Sequence, residues 1–182
     1  MYRWSLLVCS LFFAYSSITH AQEIETITPE SFTSFELESL RSADTTTDVR
    51  AAEVLPQQYV DMIVELSAKH DVSWQLVGSI IRAESNFKCH ATSSKGARGL
   101  MQLSPQTASK YQVSANELYD PYKNIEAGIK HLKYLIARYA GDLRMALAAY
   151  NTGELNVDRY RGVPPFPTTR FFVKKVLQDS GL

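Results

Sequence analysis

The chain has 182 residues, with nineteen Lys and Arg against nineteen Asp and Glu, and two cysteines. This length suits one compact hydrophobic core rather than two. The formal net charge of zero argues against a nucleic-acid-binding protein, which typically presents a concentrated basic surface.

Residues 1–21 have the pattern of a secretory signal peptide. Arg3 supplies a positive start, and the apolar run from 4 to 18 is too short for a comfortable membrane span. Small residues at Thr19 and Ala21 predict cleavage after Ala21, and hence a periplasmic mature protein without an integral membrane segment. A lipoprotein attached at Cys9 and an uncleaved anchor are the alternatives. After cleavage Cys89 would be the only cysteine, so no internal disulfide is predicted.

Residues 22–55 are predicted to form a flexible, acidic and disordered tether. They contain two basic and eight acidic residues, and their apolar residues show no sustained period. A short helix or docking patch is the alternative for the residues Phe32, Phe35, Leu37 and Leu40. The remainder, 56–182, holds sixteen basic and eleven acidic residues. This mild surplus mainly indicates a solvated surface, and it suits an anionic polymer such as the cell wall better than nucleic acid.

Helical periodicity begins at Pro56, which suits a first helical position. The apolar stripe of the first helix is Tyr59, Met62, Ile63 and Leu66. This helix should end near His70, and Ser73 is a suitable N-cap for a second helix that carries Trp74. The second stripe is Val77, Ile80 and Ile81.

Further helices follow the same rules. Ser104 and Pro105 start a short helix to about Tyr111, and Gly141 ends a later, long helix. The stripe of the long helix is Ile125, Ile129, Leu132, Ile136 and Tyr139. Asp142 caps the next helix, whose stripe is Leu143, Ala146, Leu147 and Tyr150. No alternating strand pattern of useful length is present, so 56–182 is predicted to be an all-α domain.

Glu84 is the next position on the stripe of the second helix, at its C-terminal end. Partial burial and the unpaired carbonyls of a helix end both raise the pKa of a carboxyl group. A carboxylic acid that stays protonated near neutral pH can serve as the general acid in glycosidic bond cleavage. The alternative for an isolated Glu here is a side chain turned outward to water.

Three sequence blocks decide between these readings. The first comprises Glu84-Ser85, Phe87, Ala91, Ser93, Gly96-Ala97 and Gly99-Leu100-Met101-Gln102. The second is Ala148-Ala149-Tyr150-Asn151 with Gly153, and the third is Gly162-Val163-Pro164-Pro165-Phe166 with Thr169 and Val173-Lys174-Lys175-Val176. In this order and spacing they resemble the soluble lytic transglycosylases, bacterial enzymes that cut peptidoglycan on a lysozyme-like domain. The resemblance covers 56–182.

The resemblance implies a role for each matched residue. Glu84 is the catalytic acid, and the substrate-binding set is Ser93, Gln102, Tyr150, Asn151, Met101 and Gly99. Ser93 is expected near the acid and the substrate's acetamido group, Gln102 against sugar, and the Tyr150 hydroxyl near Glu84. Leu100 and Met101 are expected to shape the cleft wall and the core. Gly96 and Gly99 should allow a tight turn and close approach of substrate, while Asn151 either holds its turn or touches substrate.

The family mechanism uses one carboxylate, where ordinary glycosidases use two. It implies that Glu84 protonates the oxygen between N-acetylmuramic acid and N-acetylglucosamine. Glu84 then acts as a base toward the muramyl 6-hydroxyl, which closes on the anomeric carbon to give a 1,6-anhydro end. The sequence fits this scheme, because no Asp or Glu lies between Glu84 and Glu117.

Four positions depart from the family pattern. Thr168-Thr169 stands where Glu-Thr is common, Phe172 where a Tyr is usual, Glu154 where a Pro is frequent, and Ser104 where an apolar residue is common. None of them removes the acid, so activity is expected, with a different glycan or peptide preference as one consequence.

Two other functions fit the sequence. One is a lysozyme-type hydrolase on a similar fold, and the other is a wall-remodelling protein of low turnover that assists a secretion or conjugation machine of the cell envelope. No cofactor or metal is predicted, because His70, His90 and His131 lack ligand spacing. The predicted partner is the peptidoglycan glycan strand.

Overall fold

The computed structural model of the chain describes residues 55–182. The predicted signal peptide and all but the last residue of the predicted tether lie outside these residues. The described part contains seven α-helices. They are α1 (Gln57–His70), α2 (Trp74–Ser85), α3 (Pro105–Ser109), α4 (Pro121–Arg138), α5 (Leu143–Thr152), α6 (Glu154–Tyr160) and α7 (Pro167–Ser180), with a 3₁₀ turn at Glu117–Tyr119.

The helices bury the stripes that their sequences predicted. Helix α2 packs mainly against α7 and also against α1, while α4 packs against α1 and α5. The largest fully buried side chains include Ile63, Leu66, Ile80, Ile81, Leu132 and Leu147. This core joins α1, α2, α4, α5 and α7 into one body, and it fixes the ends of α2 and α5 relative to each other.

Polar caps set most of the helix starts. The Oγ atoms of Ser73 and Ser104 accept hydrogen bonds from the backbone N–H groups three residues later, as predicted. The carboxylate of Asp142 does the same for α5. Asp120 caps α4 in the same way, and Pro121 follows it at the first helical position. Short local sequence signals therefore place these helices along the chain.

The structure departs from the predicted elements at several ends. Helix α3 stops at Ser109 rather than near Tyr111. Helix α4 stops at Arg138, and Ala140 and Gly141 then both adopt the left-handed conformation. The short helix α6 was not predicted. It begins directly after Gly153 and reverses the chain between α5 and α7.

Three of the four positions that depart from the family pattern have a clear place in the structure. Ser104 caps α3, and Glu154 opens α6 with its carboxylate 3.9 Å from the guanidinium of Arg138. Phe172, which stands where the family usually has a Tyr, is 94% buried in the main core, so its ring supports the fold. Among the helices of 55–182, none is both long and apolar enough to span a membrane.

Candidate active site

Glu84 lies in the last turn of α2, one residue before the helix ends at Ser85. Its side chain is partly buried, and burial raises the pKa of the Glu84 carboxyl from the ordinary 4.5 to about 7. The free carbonyls at the end of the helix disfavour the anion in the same direction. Near neutral pH this group can therefore both give and accept a proton.

The loop from 86 to 104 is folded back on itself beside this carboxyl. Arg98 forms isolated antiparallel bridges with Thr92 on one side and Leu103 on the other. Its guanidinium donates to the carbonyl of Ala115 at 2.9 Å and lies over the ring of Tyr119. The loop is thus tied to the segment before α4, although it contains no helix.

Two glycines of this loop have different tasks. Gly96 adopts a φ of +81°, and a Cβ atom there would meet open space. Gly99 adopts nearly the same φ, +79°, but a Cβ atom there would collide with the carbonyl oxygen of Leu118 and the side chain of Asn124. Gly99 is also buried. This corrects the predicted close approach of substrate at Gly99, because the close approach is to Asn124.

Asn124 is a site residue that the sequence analysis missed. It is fully buried on α4. Its Oδ1 accepts from the Met101 N–H at 2.7 Å, and its Nδ2 donates to the carbonyls of Arg98 and Leu118 at 3.0 and 2.9 Å. The only available signal was a polar residue one position before the predicted apolar stripe, and two of its three partners, Arg98 and Met101, lie more than twenty residues away along the chain.

The backbone of Met101 is held on both sides. Its N–H donates to Asn124, and its carbonyl accepts from the Tyr150 hydroxyl at 2.9 Å. The Met101 side chain is fully buried, at the place where Gly128 leaves room for it. The residue is part of the core, as was expected of both Leu100 and Met101, and its contact with substrate stays a prediction.

Tyr150, which donates to the Met101 carbonyl, also interacts with the charge of Glu84. It sits near the end of α5, and burial followed by the negative charge of Glu84 raises the pKa of Tyr150 well above 10. The phenol therefore stays protonated and donates to Met101. The prediction placed this hydroxyl near Glu84. The negative charge of Glu84 acts on Tyr150, while the hydrogen bond of the hydroxyl goes to the loop; the position of the hydroxyl near Glu84 stays a prediction.

A groove of about 260 Å³ runs beside Tyr150. Its lining residues are Lys95, Ala97, Gln102, Leu103, Ser104, Thr107, His131, Ala149, Tyr150, Asn151 and Gly153. None of these residues is acidic. Glu84 is not part of the lining, and Tyr150 is the residue that both borders the groove and interacts with the Glu84 charge.

Two loop residues that were predicted to bind substrate form hydrogen bonds within the loop. Ser93 Oγ accepts from the Ala97 N–H at 3.0 Å, which closes the turn around Gly96. Gln102 has a φ of +48°, and its Nε2 donates to the carbonyls of Ala91 and Gly99 at 3.1 and 2.9 Å. Gln102 borders the groove. Because both amide hydrogens are engaged, a sugar contact would use Gln102 Oε1.

Asn151 lines the groove at the end of α5 and has a partner on α7. Its Oδ1 accepts from the hydroxyl of Thr169 at 2.9 Å, and Thr169 is buried. The sequence left open whether Asn151 holds a turn or touches substrate. The bond to Thr169 fixes the Asn151 side chain at the groove edge, where its Nδ2 can still donate.

A larger pocket, of about 670 Å³, lies between α5 and α7. Its lining includes the cations Arg144, Arg170 and Lys174 and the apolar residues Val173 and Leu177, but no Asp or Glu side chain. It therefore offers no general acid. Across 55–182, no three His, Cys, Asp or Glu side chains come together as ligands for a metal ion.

Comparison with known proteins identifies the fold around this site. Residues 61–168, more than half of the chain, match the family described as Transglycosylase SLT domain. The chain belongs to this family. The all-α, lysozyme-like fold and the family resemblance inferred from the three sequence blocks are thereby confirmed.

Several relatives share the SLT domain. A transglycosylase of Enterobacteria phage PRD1 is 38% identical over 96 residues, which cover 53% of this chain and 35% of the relative. Membrane-bound lytic murein transglycosylase F of Cellvibrio japonicus is 35% identical over 102 residues, covering 53% and 20%. The chain thus spans about a fifth to a third of the length of these curated relatives.

Solved structures give the same result. The 70 kDa soluble lytic transglycosylase of Escherichia coli superimposes with a TM-score of 0.64 and 28% sequence identity, covering 71% of this chain and 24% of that one. A lytic transglycosylase of Pseudomonas aeruginosa gives a TM-score of 0.61 and 27% identity, covering 78% and 26%. The shared region is the helical SLT domain.

Proposed function

We propose that this protein is a peptidoglycan lytic transglycosylase. It cleaves the β-1,4 bond between N-acetylmuramic acid and N-acetylglucosamine without consuming water and leaves a 1,6-anhydromuramyl end. The observation that carries the proposal is Glu84, a partly buried acid in the last turn of α2, whose pKa burial raises to about 7 and whose charge acts on Tyr150. The names of the relatives, lytic murein transglycosylases among them, support the same reaction.

The glycan is proposed to lie in the groove and to continue past Tyr150 to Glu84. In the first step Glu84 gives its proton to the glycosidic oxygen, and the bond from that oxygen to the anomeric carbon breaks. The substrate's own acetamido group stabilises the positive charge that develops on this carbon. The leaving sugar departs with the proton as a new hydroxyl group.

In the second step the Glu84 carboxylate takes the proton of the muramyl 6-hydroxyl. The 6-oxygen forms a bond to the anomeric carbon and closes the anhydro ring, and Glu84 is restored as an acid. A pKa near 7 suits this double role, since neither protonation state is strongly disfavoured at neutral pH. The absence of acidic residues from the groove lining within 55–182 supports a scheme with one carboxylate.

Product masses test the reaction. Digestion of purified peptidoglycan should release muropeptides with anhydro ends, each lighter by one water than the corresponding reducing-end product. Glu84→Gln, which keeps the shape and removes the acid, should release none. Reducing ends from the wild-type protein would contradict the proposal and indicate a lysozyme-type hydrolase instead.

The location of the protein is also proposed. Residues 1–21 are a signal peptide, and the mature protein acts in the periplasm from Gln22 onward. A periplasmic fraction should yield a protein whose N-terminal sequence starts at Gln22. A start at Met1 would contradict the proposed cleavage.

A role beside a secretion or conjugation machine stays a prediction. If the protein clears the wall for such a machine by cleavage, Glu84→Gln should impair assembly of the machine as strongly as deletion of the whole chain. An unimpaired machine with Glu84→Gln would instead indicate a role that needs no turnover.

A further inference from the structure

His131 lines the groove but has no role in the proposed reaction. It follows Asn124 and Gly128 on one face of α4, at spacings of four and three residues. It lines the groove, and its ring centroid lies 5.6 Å from that of Tyr150. Helix α4 therefore places a side chain with two hydrogen-bonding nitrogens beside the residue that connects the groove to Glu84.

The imidazole ring is held in one orientation. Its Nδ1 lies 3.1 Å from the hydroxyl oxygen of Tyr111, and its ring packs against those of Tyr111 and Tyr134, with centroids 5.9 and 6.2 Å away. Within 55–182 the other nitrogen, Nε2, has no hydrogen-bond partner. In that range the fully buried side-chain polar atoms without a partner are Ser67 Oγ, Arg98 Nε and Glu154 Oε1, and Nε2 is not one of them. Nε2 therefore retains accessible surface.

Burial keeps the His131 ring neutral. Burial lowers the pKa of His131 to about 4, the positive charge of Lys110 acts in the same direction, and Glu154 acts against it. Burial also raises the pKa of Tyr111, so its phenol carries a hydrogen that it can donate to Nδ1. In a neutral imidazole that accepts at Nδ1, the hydrogen is on Nε2.

We propose that His131 contacts the substrate: its Nε2–H donates a hydrogen bond to an uncharged oxygen of a bound sugar, either a hydroxyl or an acetamido carbonyl. Tyr111 is the positioning residue that fixes the tautomer and the orientation of the ring. The inference rests on the proposed function for the identity of the ligand. A neutral donor suits the hydroxyl and acetamido oxygens of a sugar, because these oxygens carry no charge.

Two substitutions that mimic different ring nitrogens test the assignment. In His131→Gln the amide nitrogen lies near the position of Nε2, whereas in His131→Asn the amide lies near Nδ1. The probe is the tetrasaccharide of alternating N-acetylglucosamine and N-acetylmuramic acid without peptides. Its affinity is measured calorimetrically in a Glu84→Gln background, so that it is not consumed.

We expect His131→Asn to weaken binding about tenfold, the usual effect of losing one neutral hydrogen bond. His131→Gln should bind about as tightly as the Glu84→Gln parent, and Tyr111→Phe, which removes only the hydroxyl, should give a smaller loss than His131→Asn. Thermal unfolding confirms that the variants are folded. Unchanged affinity with His131→Asn, or equal losses with Asn and Gln, would overturn the assignment.

A measurement on the unsubstituted ring does not depend on how the variants fold. The ¹⁵N shifts of the His131 imidazole in the Glu84→Gln protein, assigned through bonds, should show a hydrogen on Nε2 at pH 7. The Nε2 signal should move when the tetrasaccharide is added. A bare Nε2, or a signal that saccharide leaves in place, would refute the proposal.

The two proposals fail in different ways. If wild type gives anhydro products but the His131 substitutions leave affinity unchanged, the contact is wrong and the reaction stands. If wild type gives no anhydro products but His131→Asn weakens saccharide binding and His131→Gln does not, the contact stands and the reaction is wrong.

Discussion

A carboxyl group whose charge the fold disfavours has a measurable effect on stability. The pKa of Glu84 is about 7 in the folded protein, while an unfolded chain gives Glu a value near 4.3. Below both values the group is protonated in both states and has no effect. As the pH rises between them, the unfolded state ionises first, so the folded state loses stability.

Substitution by a neutral amide removes this effect. We expect wild type and Glu84→Gln to be similarly stable at about pH 4, and Glu84→Gln to be more stable above pH 7, by at most about 4 kcal/mol. Urea unfolding of both proteins at the two pH values measures the difference. Equal stability at high pH would mean that Glu84 ionises freely. The general acid would then be present only at low pH.

The loop glycines offer a second comparison at the scale of single residues. Gly96 and Gly99 have almost the same φ but different surroundings. Gly96→Ala should cost only the strain of a left-handed alanine, about 1–2 kcal/mol. Gly99→Ala should cost about 3–5 kcal/mol, because the new methyl group also collides with Asn124 and the Leu118 carbonyl.

Chemical unfolding measures both variants under the same conditions. Similar losses in the two would mean that the loop can move away from α4. The two hydrogen bonds of the Met101 backbone, to Asn124 and Tyr150, would then hold the loop less firmly than their short lengths indicate.

Between elements, one hydrogen bond joins α7 to the groove end of α5. Thr169→Val removes the hydroxyl that holds Asn151 and should cost about 1 kcal/mol of stability. It should also lower activity, because Asn151 would no longer be held at the groove. Thr168→Val is the matched control, since Thr168 is exposed and should change neither property. Activity on peptidoglycan that Thr169→Val leaves intact would assign this bond to the fold alone.

The sequence predicted the helices better than the contacts that join them. Periodicity and capping residues act within a few positions, so Ser73, Ser104 and Asp142 marked real helix starts. Helix α6 is too short to show a period, and its start depends on Gly153. The placement of Glu84 followed from its stripe. The tasks of Asn124, Gly99 and Thr169 depend on partners that only the folded chain brings together.

At the scale of the whole molecule, charge should affect how tightly the protein binds peptidoglycan, its proposed substrate. Residues 56–182 carry a surplus of five positive charges, and peptidoglycan carries carboxylates on its peptides. Binding of Glu84→Gln to purified sacculi should therefore weaken when NaCl is raised from about 50 to about 500 mM, since salt screens exposed charges. Co-sedimentation measures this.

An uncharged chitin tetrasaccharide is the control for the charge argument. It has no carboxylates, so its affinity should depend little on salt. If sacculus binding were equally insensitive, sugar contacts in the groove would dominate attachment, and the basic surplus would be only a solvated surface.

The two hydrogen bonds of the Met101 backbone should slow the local opening of this part of the loop. The Met101 N–H is bonded to a buried side chain on α4, and its carbonyl is bonded to a phenol on α5. The amide hydrogen at this position should exchange with deuterated water as slowly as those in the middle of the core helices, even though it belongs to no helix. Slow exchange here would mean that the loop backbone at Met101 does not open unless the two helices separate.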